Sequence, residues 1–405
     1  MILRRATERI DSHRALDLVN FFVADVQTGF GPFVAVYLTT AKWTQVEIGF
    51  ALTLGTMTAL ISQLPAGALV DAMHNKRLAA GAALVAVIMA ALLLALQPAT
   101  LPVLMAELLH GFGSCMMTPA IAAISLHIAG HAALGERLGR NARFASLGNG
   151  LTAGVMGATG AWFSTRVVFL LTAALCVPAL LALWLVRAGP HARTQTTSAV
   201  MDWPGLRKLV SDWRLLSFAG CVMLFHLSNA AMLPLAGAQV TMRAGDFANV
   251  IIAGCIVAPQ LVVAMFSPWV GRMAQQFGRR HMLLLGWGML PLRGLLLAVL
   301  PGSWPLIIAQ GISGIGAAVF GVMMPLLAAD LTIGTSHFNL CMGFLGLAVY
   351  VGAAISTTAS GGVADYAGMP AAFVTLAAVG AVATLAVWLL IPETKPDTVT
   401  PEAPE

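Results

Sequence analysis

Acids, histidines and amides are sparse in the apolar stretches of this chain, so each one marks a place where chemistry can be sought. Asp25 lies in the first long apolar run, with Asn20 and Gln27 beside it and the helix breaker Gly29-Phe30-Gly31-Pro32 just after. An ionisable group at membrane depth is costly to keep unless it is paired or used. A carboxylate shielded from water there can exchange protons near neutral pH, and a helix bent at Pro32 frees backbone groups to face a cavity. Asp25 is thus a proton-coupling candidate, or else one side of a helix–helix clamp. Glu107 and His110 are three residues apart, share a helix face and form a second proton-coupling candidate, with structural pairing as the alternative. Later in the chain His226 and Asn229 share a face in the same way, and Arg293 is the one cation well inside an apolar run. With Asn20, Gln27 and Gln310 these are the substrate-cavity candidates. Arg293 suits an acidic substrate or an intramembrane acid, or it can snorkel to an interface. His226 has a competing reading as a hydrogen-bonded structural histidine.

The elements that must position these groups are membrane spans. The chain has 405 residues, 59% hydrophobic and 10% charged, with mean hydropathy +0.85. A soluble globule of this size carries about 25% charged residues. Runs of about 20 apolar residues, the length that crosses the hydrocarbon, fall near 16–40, 48–71, 78–97, 101–128, 143–164 and 166–187. Six more fall near 214–240, 248–274, 282–300, 304–330, 340–363 and 370–391. The expectation is an all-α integral membrane protein of twelve transmembrane helices. It divides into an N-terminal segment 1–15, six-helix halves at 16–187 and 214–392, a polar linker 188–213 and a tail 393–405.

Of the 22 Lys and Arg residues, all but Lys42, Arg166, Arg243 and Arg293 then fall on one side. Cytoplasmic loops carry such an excess, so both termini are expected in the cytoplasm, at a bacterial inner membrane. The pI near 9.2 follows from those loops and does not imply a nucleic-acid partner. The five cysteines are scattered singly, without a CxxC pair, so neither a disulfide framework nor a thiolate metal site is indicated. Met1 to Arg14 is charged and lacks a cleavable signal's apolar centre.

The two halves repeat each other. Gly67-x3-Asp71, ending in Lys76-Arg77, is echoed by Gly271-x3-Gln275, ending in Gly278-Arg279-Arg280. Gln27-x4-Pro32 is echoed by Asn229-x4-Pro234, and Glu107-x3-Gly111-x-Gly113 by Gln310-x3-Gly314-x-Gly316. Asn141-x6-Gly148-x5-Gly154 is echoed by Asn339-x6-Gly346-x5-Gly352. Glycines at these positions let backbones approach where lipid supplies little hydrophobic drive, either as tight packing or as sliding surfaces. The first pair resembles the loop between helices two and three of major facilitator superfamily transporters, G-x-x-x-D-[RK]-x-G-[RK]-[RK]. Ala72, His74 and Gln275 depart from that pattern. The resemblance covers residues 15–392 and implies two parallel halves with a substrate site between them, exposed alternately by rocking. It also implies a conformational gate at Gly67, Asp71, Lys76, Arg77, Gly271, Gly278, Arg279 and Arg280. The drug/proton antiporters of that superfamily carry Gly-Pro-x-x-Gly-Gly in span five; here the stretch is Gly154-Val-Met-Gly157-Ala-Thr-Gly160, without the proline.

Other classes find no support in the text. There is no GxxxxGK[ST] for a transporting ATPase and no HExxH for a membrane protease. No repeated filter suggests a channel. The expectation is a secondary transporter of a small organic solute, proton-coupled, working in efflux as a monomer, with no cofactor and no enzymatic activity. Uptake or exchange of an anionic metabolite is the alternative, and a non-transporting membrane sensor is the alternative from another class.

Overall fold

The computed structural model describes residues 12–24, 30–187, 203–236, 248–300 and 303–393. Asp25, Gln27, most of the expected linker and the tail after Glu393 lie outside the described residues. Among the described residues the chain is helical and has no strand: α1 (12–24), α2 (Phe30–Thr40), α3 (Gln45–Ala72), α4 (Lys76–Leu96), α5 (Thr100–Trp162) and α6 (Thr165–Leu185) come first. They are followed by α7 (Trp203–Val210), α8 (Trp213–Asn229), α9 (232–236), α10 (Ala248–Phe277), α11 (Arg279–Val299), α12 (Ser303–Leu331), α13 (Phe338–Ala367) and α14 (Met369–Leu390). Nine helical stretches of the described residues are long and apolar enough to cross a membrane.

One of the nine, Thr100–Met156, has 57 residues. Straight, it would be about 85 Å long, against a hydrocarbon core of about 30 Å. It doubles back at Gly130, whose φ of 69° a glycine adopts without strain. Asn141 Nδ2 donates to Ser125 Oγ at 2.7 Å, a contact that residues 16 positions apart on a straight helix cannot make. The second limb of α5 therefore starts just after Gly130, where the apolar pattern places a loop reaching to about 142. The reason is local: Arg137 and Arg140 interrupt the apolar pattern, yet both are anchored to Asp17 of α1. Charges held by a neighbouring helix do not need a loop.

Local chemistry sets the other boundaries. Thr44 and Glu47 form a reciprocal capping box at the start of α3: the Glu47 amide donates to Thr44 Oγ1 and Glu47 Oε2 accepts from the Thr44 amide. Asn75 caps α4 by accepting from the Arg77 amide at 3.1 Å. Pro32, expected to bend the first span, falls in the first turn of α2, where a missing amide donor costs nothing.

The sequence repeat is a structural one. A Cβ at Gly148 of α5 would strike the Phe21 carbonyl of α1, and one at Gly352 of α13 the Met223 carbonyl of α8. A Cβ at Gly111 would lie 2.7 Å from the Gly55 carbonyl oxygen of α3; its counterpart Gly314 would lie 2.7 Å from that of Pro259 in α10. Equivalent glycines thus seat equivalent helix pairs. One core cluster belongs to the first half, running from Ala15 to Val186. A second joins Ala122, Ala123, Leu134 and Leu138 of α5 to the later helices, tying the halves together at the end where α5 turns.

A candidate substrate cavity and its gate

Among the described residues the contact between the halves is tight at one end and loosens toward the other. At the end bearing the basic loops, a Cβ on Gly67 of α3 would collide with the Asn339 carbonyl of α13. Gly135 and Gly271 press α5 on α10 in the same way, with a Cβ on Gly135 only 2.8 Å from the Gly271 oxygen. Farther along α5, a Cβ on Gly150 would be 3.9 Å from Gln260, and one on Gly154 would meet nothing within 4 Å. Gly361 and Gly362 of α13 are equally open. The helices splay away from the basic end.

Asp71 fastens that closed end. Its Oδ1 accepts from the Asn339 amide (3.0 Å) and Asn339 Nδ2 (2.7 Å), and its Oδ2 from the Leu340 amide (2.8 Å). A carboxylate thereby sits on the N-terminus of a helix of the other half, where free amides and the helix dipole favour negative charge. In the second copy of the loop, Gln275 Nε2 crosses the halves instead, donating to the Ala132 carbonyl at 2.6 Å. The basic residues stay within their own halves. Lys76 Nζ donates to the Val70 and Asp71 carbonyls at 2.7 and 2.9 Å. Its counterpart Arg279 donates to the Ala274 carbonyl and pairs with Asp330 at 2.9 Å. Arg77 bonds the Val186 carbonyl, Arg280 that of Trp388, and Gly278 makes room for the Glu393 carboxylate that caps α11. Of the residues expected to form a gate, Gly67, Asp71 and Gly271 meet the opposite half. Lys76, Arg77, Gly278, Arg279 and Arg280 brace helix ends.

Between the halves lie two pockets, here called lobes, that have Thr118 in common on their walls. The larger, about 660 Å³, is walled by α3, α5, α12 and α13, with Glu107, His110, Gln63, Phe320, Met324 and Tyr350 on it. The smaller, about 360 Å³, lies among α1, α5, α10 and α12, with Asn20, Asn141, Asn149 and Gln260 on it. Both fall in the range of roughly 300–1,000 Å³ that holds small molecules. Glu107 is 5% exposed, and its Oε1 is buried without a hydrogen-bond partner. Its carboxylate is packed on Gly55, where any side chain would displace it. His110, one turn on, has Ser114 Oγ 3.3 Å from its Nε2. Glu107 and His110 thus reach one lobe as a pair, and Asn20 reaches the other.

The remaining candidates lie elsewhere. His226 packs against Phe320, ring centroids 4.8 Å apart, and does not itself line the larger lobe, as Phe320 does. Arg293 is 2% exposed and does not snorkel: Nη1 donates to Asn229 Oδ1 at 2.5 Å and Nη2 to Gln310 Oε1 at 3.1 Å. None of Arg293, Asn229 and Gln310 lines either lobe. A guanidinium needs acceptors, and the two amides supply them inside the second half, away from the cavity. Sequence reasoning missed Asp17, which is 3% exposed and holds Arg137 at 2.5 Å together with Arg140, beside the Asn20–Asn141 bond of 3.1 Å. The spacing Arg137-x2-Arg140 puts both cations on one helix face and was the available signal.

A polytopic helical protein whose two halves enclose a cavity, sealed at one end by interlocked glycines, belongs to the class of membrane transporters. The Major Facilitator Superfamily profile matches residues 16–258 and 221–405, and the chain belongs to that family. It is 36% identical over 391 residues to the uncharacterized MFS-type transporters MT2531 and Rv2456c of two Mycobacterium tuberculosis strains, over 94% of this chain and 93% of theirs. Its fold is similar to that of the transporter FucP in the outward conformation (TM-score 0.78, 15% identity, 95% of this chain and 100% of that one). It is also similar to the human organic anion transporter MFSD10 (TM-score 0.73, 14% identity, 94% and 99%). The chain is accordingly a multi-pass membrane transporter and not an enzyme.

Proposed function

We propose that the chain is a secondary transporter that exports a small organic solute by alternating access in exchange for protons. The closed end bearing the basic loops is cytoplasmic in this reading, at a bacterial inner membrane, and the chain works as a monomer whose partners are the solute, protons and the bilayer. The halves 16–187 and 214–392 rock about the cavity, and the conformation is outward-facing. The observation that carries the coupling is Glu107, the one carboxylate on the walls of either lobe, with neither a cation nor a hydrogen-bond donor against it among the described residues. A group so placed must be neutralised as the cavity closes, by a proton or by a bound cation. His110, Cys115 and Tyr350 are the other titratable groups on the same wall. Asp25 is a second proton-coupling candidate.

Import of an anionic metabolite draws on Arg293, and that guanidinium lies outside both lobes. The test is proton movement in everted membrane vesicles acidified inside by respiration and challenged with a panel of organic amines. An exporter of this kind releases internal protons when its substrate is added, and Glu107→Gln abolishes the release while Asp25→Asn resolves the role of the second acid. Substrate-driven proton flow in the opposite sense, or full release by Glu107→Gln, rejects the reading.

A further inference from the structure

The two lobes of the cavity differ in kind, and we infer that they divide the substrate between them. The ligand class is an organic monocation whose protonated amine meets Glu107 in the larger lobe and whose uncharged hydroxyl- or amide-bearing part enters the smaller one. This rests on the transporter reading above and adds the substrate class to it.

The larger lobe offers one carboxylate in an otherwise soft and apolar setting, with Phe320, Met324 and Tyr350 around it. Among the described residues no Lys or Arg lines either lobe, so a substrate carboxylate or phosphate would find no counter-charge there. A second positive charge on the substrate would find no second acid on either wall among the described residues. The smaller lobe carries no Asp, Glu, Lys, Arg or His among the described residues; its polar surface there is amide and hydroxyl, chiefly Asn20, Asn141, Asn149 and Gln260. Asn20 and Asn141 are spent on each other and on Leu16, Arg137 and Ser125. Gln260, reaching in from α10, makes no hydrogen bond among the described residues, which leaves a full amide to offer. Neutral donors and acceptors in a shielded site reward a partner that hydrogen-bonds and penalise one that cannot. A purely lipophilic cation would fill the first lobe and leave Gln260 unpaired. Thr118, on the wall of both lobes, is where a molecule reaching from one into the other would pass.

The test uses the purified full-length protein in nanodiscs, with no pH gradient, and calorimetric titration of three probes. Procainamide carries both an amine and an amide, tetraphenylphosphonium is a cation without hydrogen-bonding groups, and benzamide is an amide without the amine. Glu107→Gln is expected to weaken procainamide and tetraphenylphosphonium at least tenfold and to leave benzamide unchanged. Gln260→Leu is expected to weaken procainamide about tenfold and to leave tetraphenylphosphonium within twofold. If Gln260→Leu is not monodisperse, Gln260→Met, close to it in shape, carries the same comparison. Equal effects of the Gln260 change on both cations, no effect on either, or no saturable binding of either cation overturns the division of labour. Because binding is read without a gradient, the ligand class can stand while proton coupling fails in vesicles, and the reverse.

Discussion

Arg293 shows how a buried charge is maintained without a counter-ion among the described residues. Its two terminal nitrogens are met by the oxygens of Asn229 and Gln310, while its Nε and the Gln310 Nε2 have no partner. Removing one acceptor leaves a desolvated cation short of a hydrogen bond, which costs about 1–3 kcal/mol. Asn229→Leu should therefore lower the melting temperature of the purified protein clearly. Procainamide affinity should stay unchanged, because the cluster lies outside both lobes; a loss of affinity at unchanged stability would return Asn229 to the cavity. At this scale the sequence is informative about which residues are unusual and silent about what they touch. Glu107 and His110 were legible as a pair because three-residue spacing fixes a shared face on one helix. The bond from Arg293 to Asn229 joins helices 64 positions apart, and no periodicity encodes it.

Helix ends carry the proposed gate. Asp71 does for α13 what an N-cap residue does for its own helix, but from the opposite half, so the cap is lost whenever the halves separate. Cap removal costs about 0.5–2 kcal/mol, which shifts a two-state equilibrium about 2- to 30-fold. Asp71→Asn is expected to reduce the outward-facing population by that factor while insertion and folding persist. Gly67→Ala should act in the same direction by forcing α3 off the Asn339 carbonyl. The readout is alkylation of Gly154→Cys in a Cys115→Ala background by an impermeant maleimide added from outside, since position 154 faces open space here. Unchanged rates in both variants would remove this contact from the gate. Gly67, Gly271 and Asp71 of the motif meet the opposite half, whereas its cations bond within their own half. Lys76 and Arg279 satisfy the last carbonyls of the preceding helices, a task that any helix end sets.

The pseudo-twofold was legible because glycine is required wherever two backbones touch, and both halves touch at the same places. It also shows where the halves have diverged. Glu107 and Gln310 are equivalent positions: the first leaves its acid on the cavity wall, the second turns its amide to Arg293. At this pair of positions polar chemistry faces the cavity in one half and braces helices in the other, which is why residue types alone did not separate the two roles. The asymmetry can be tested by restoring an acid. Gln310→Glu would place a carboxylate about where an oxygen already accepts from Arg293 Nη2, converting a neutral hydrogen bond into a charge-assisted one. Arg293 has already lost its water, so only the new carboxylate's desolvation opposes the gain. The melting temperature should rise, and Arg293→Met should cancel the rise, as a double-mutant cycle requires. Proton flow per transported amine should remain that of the parent, because the new acid is held by its guanidinium away from both lobes. An additional proton moved per amine by Gln310→Glu would mean that this cluster opens to the cavity during the cycle, and the two halves would then share the work of coupling.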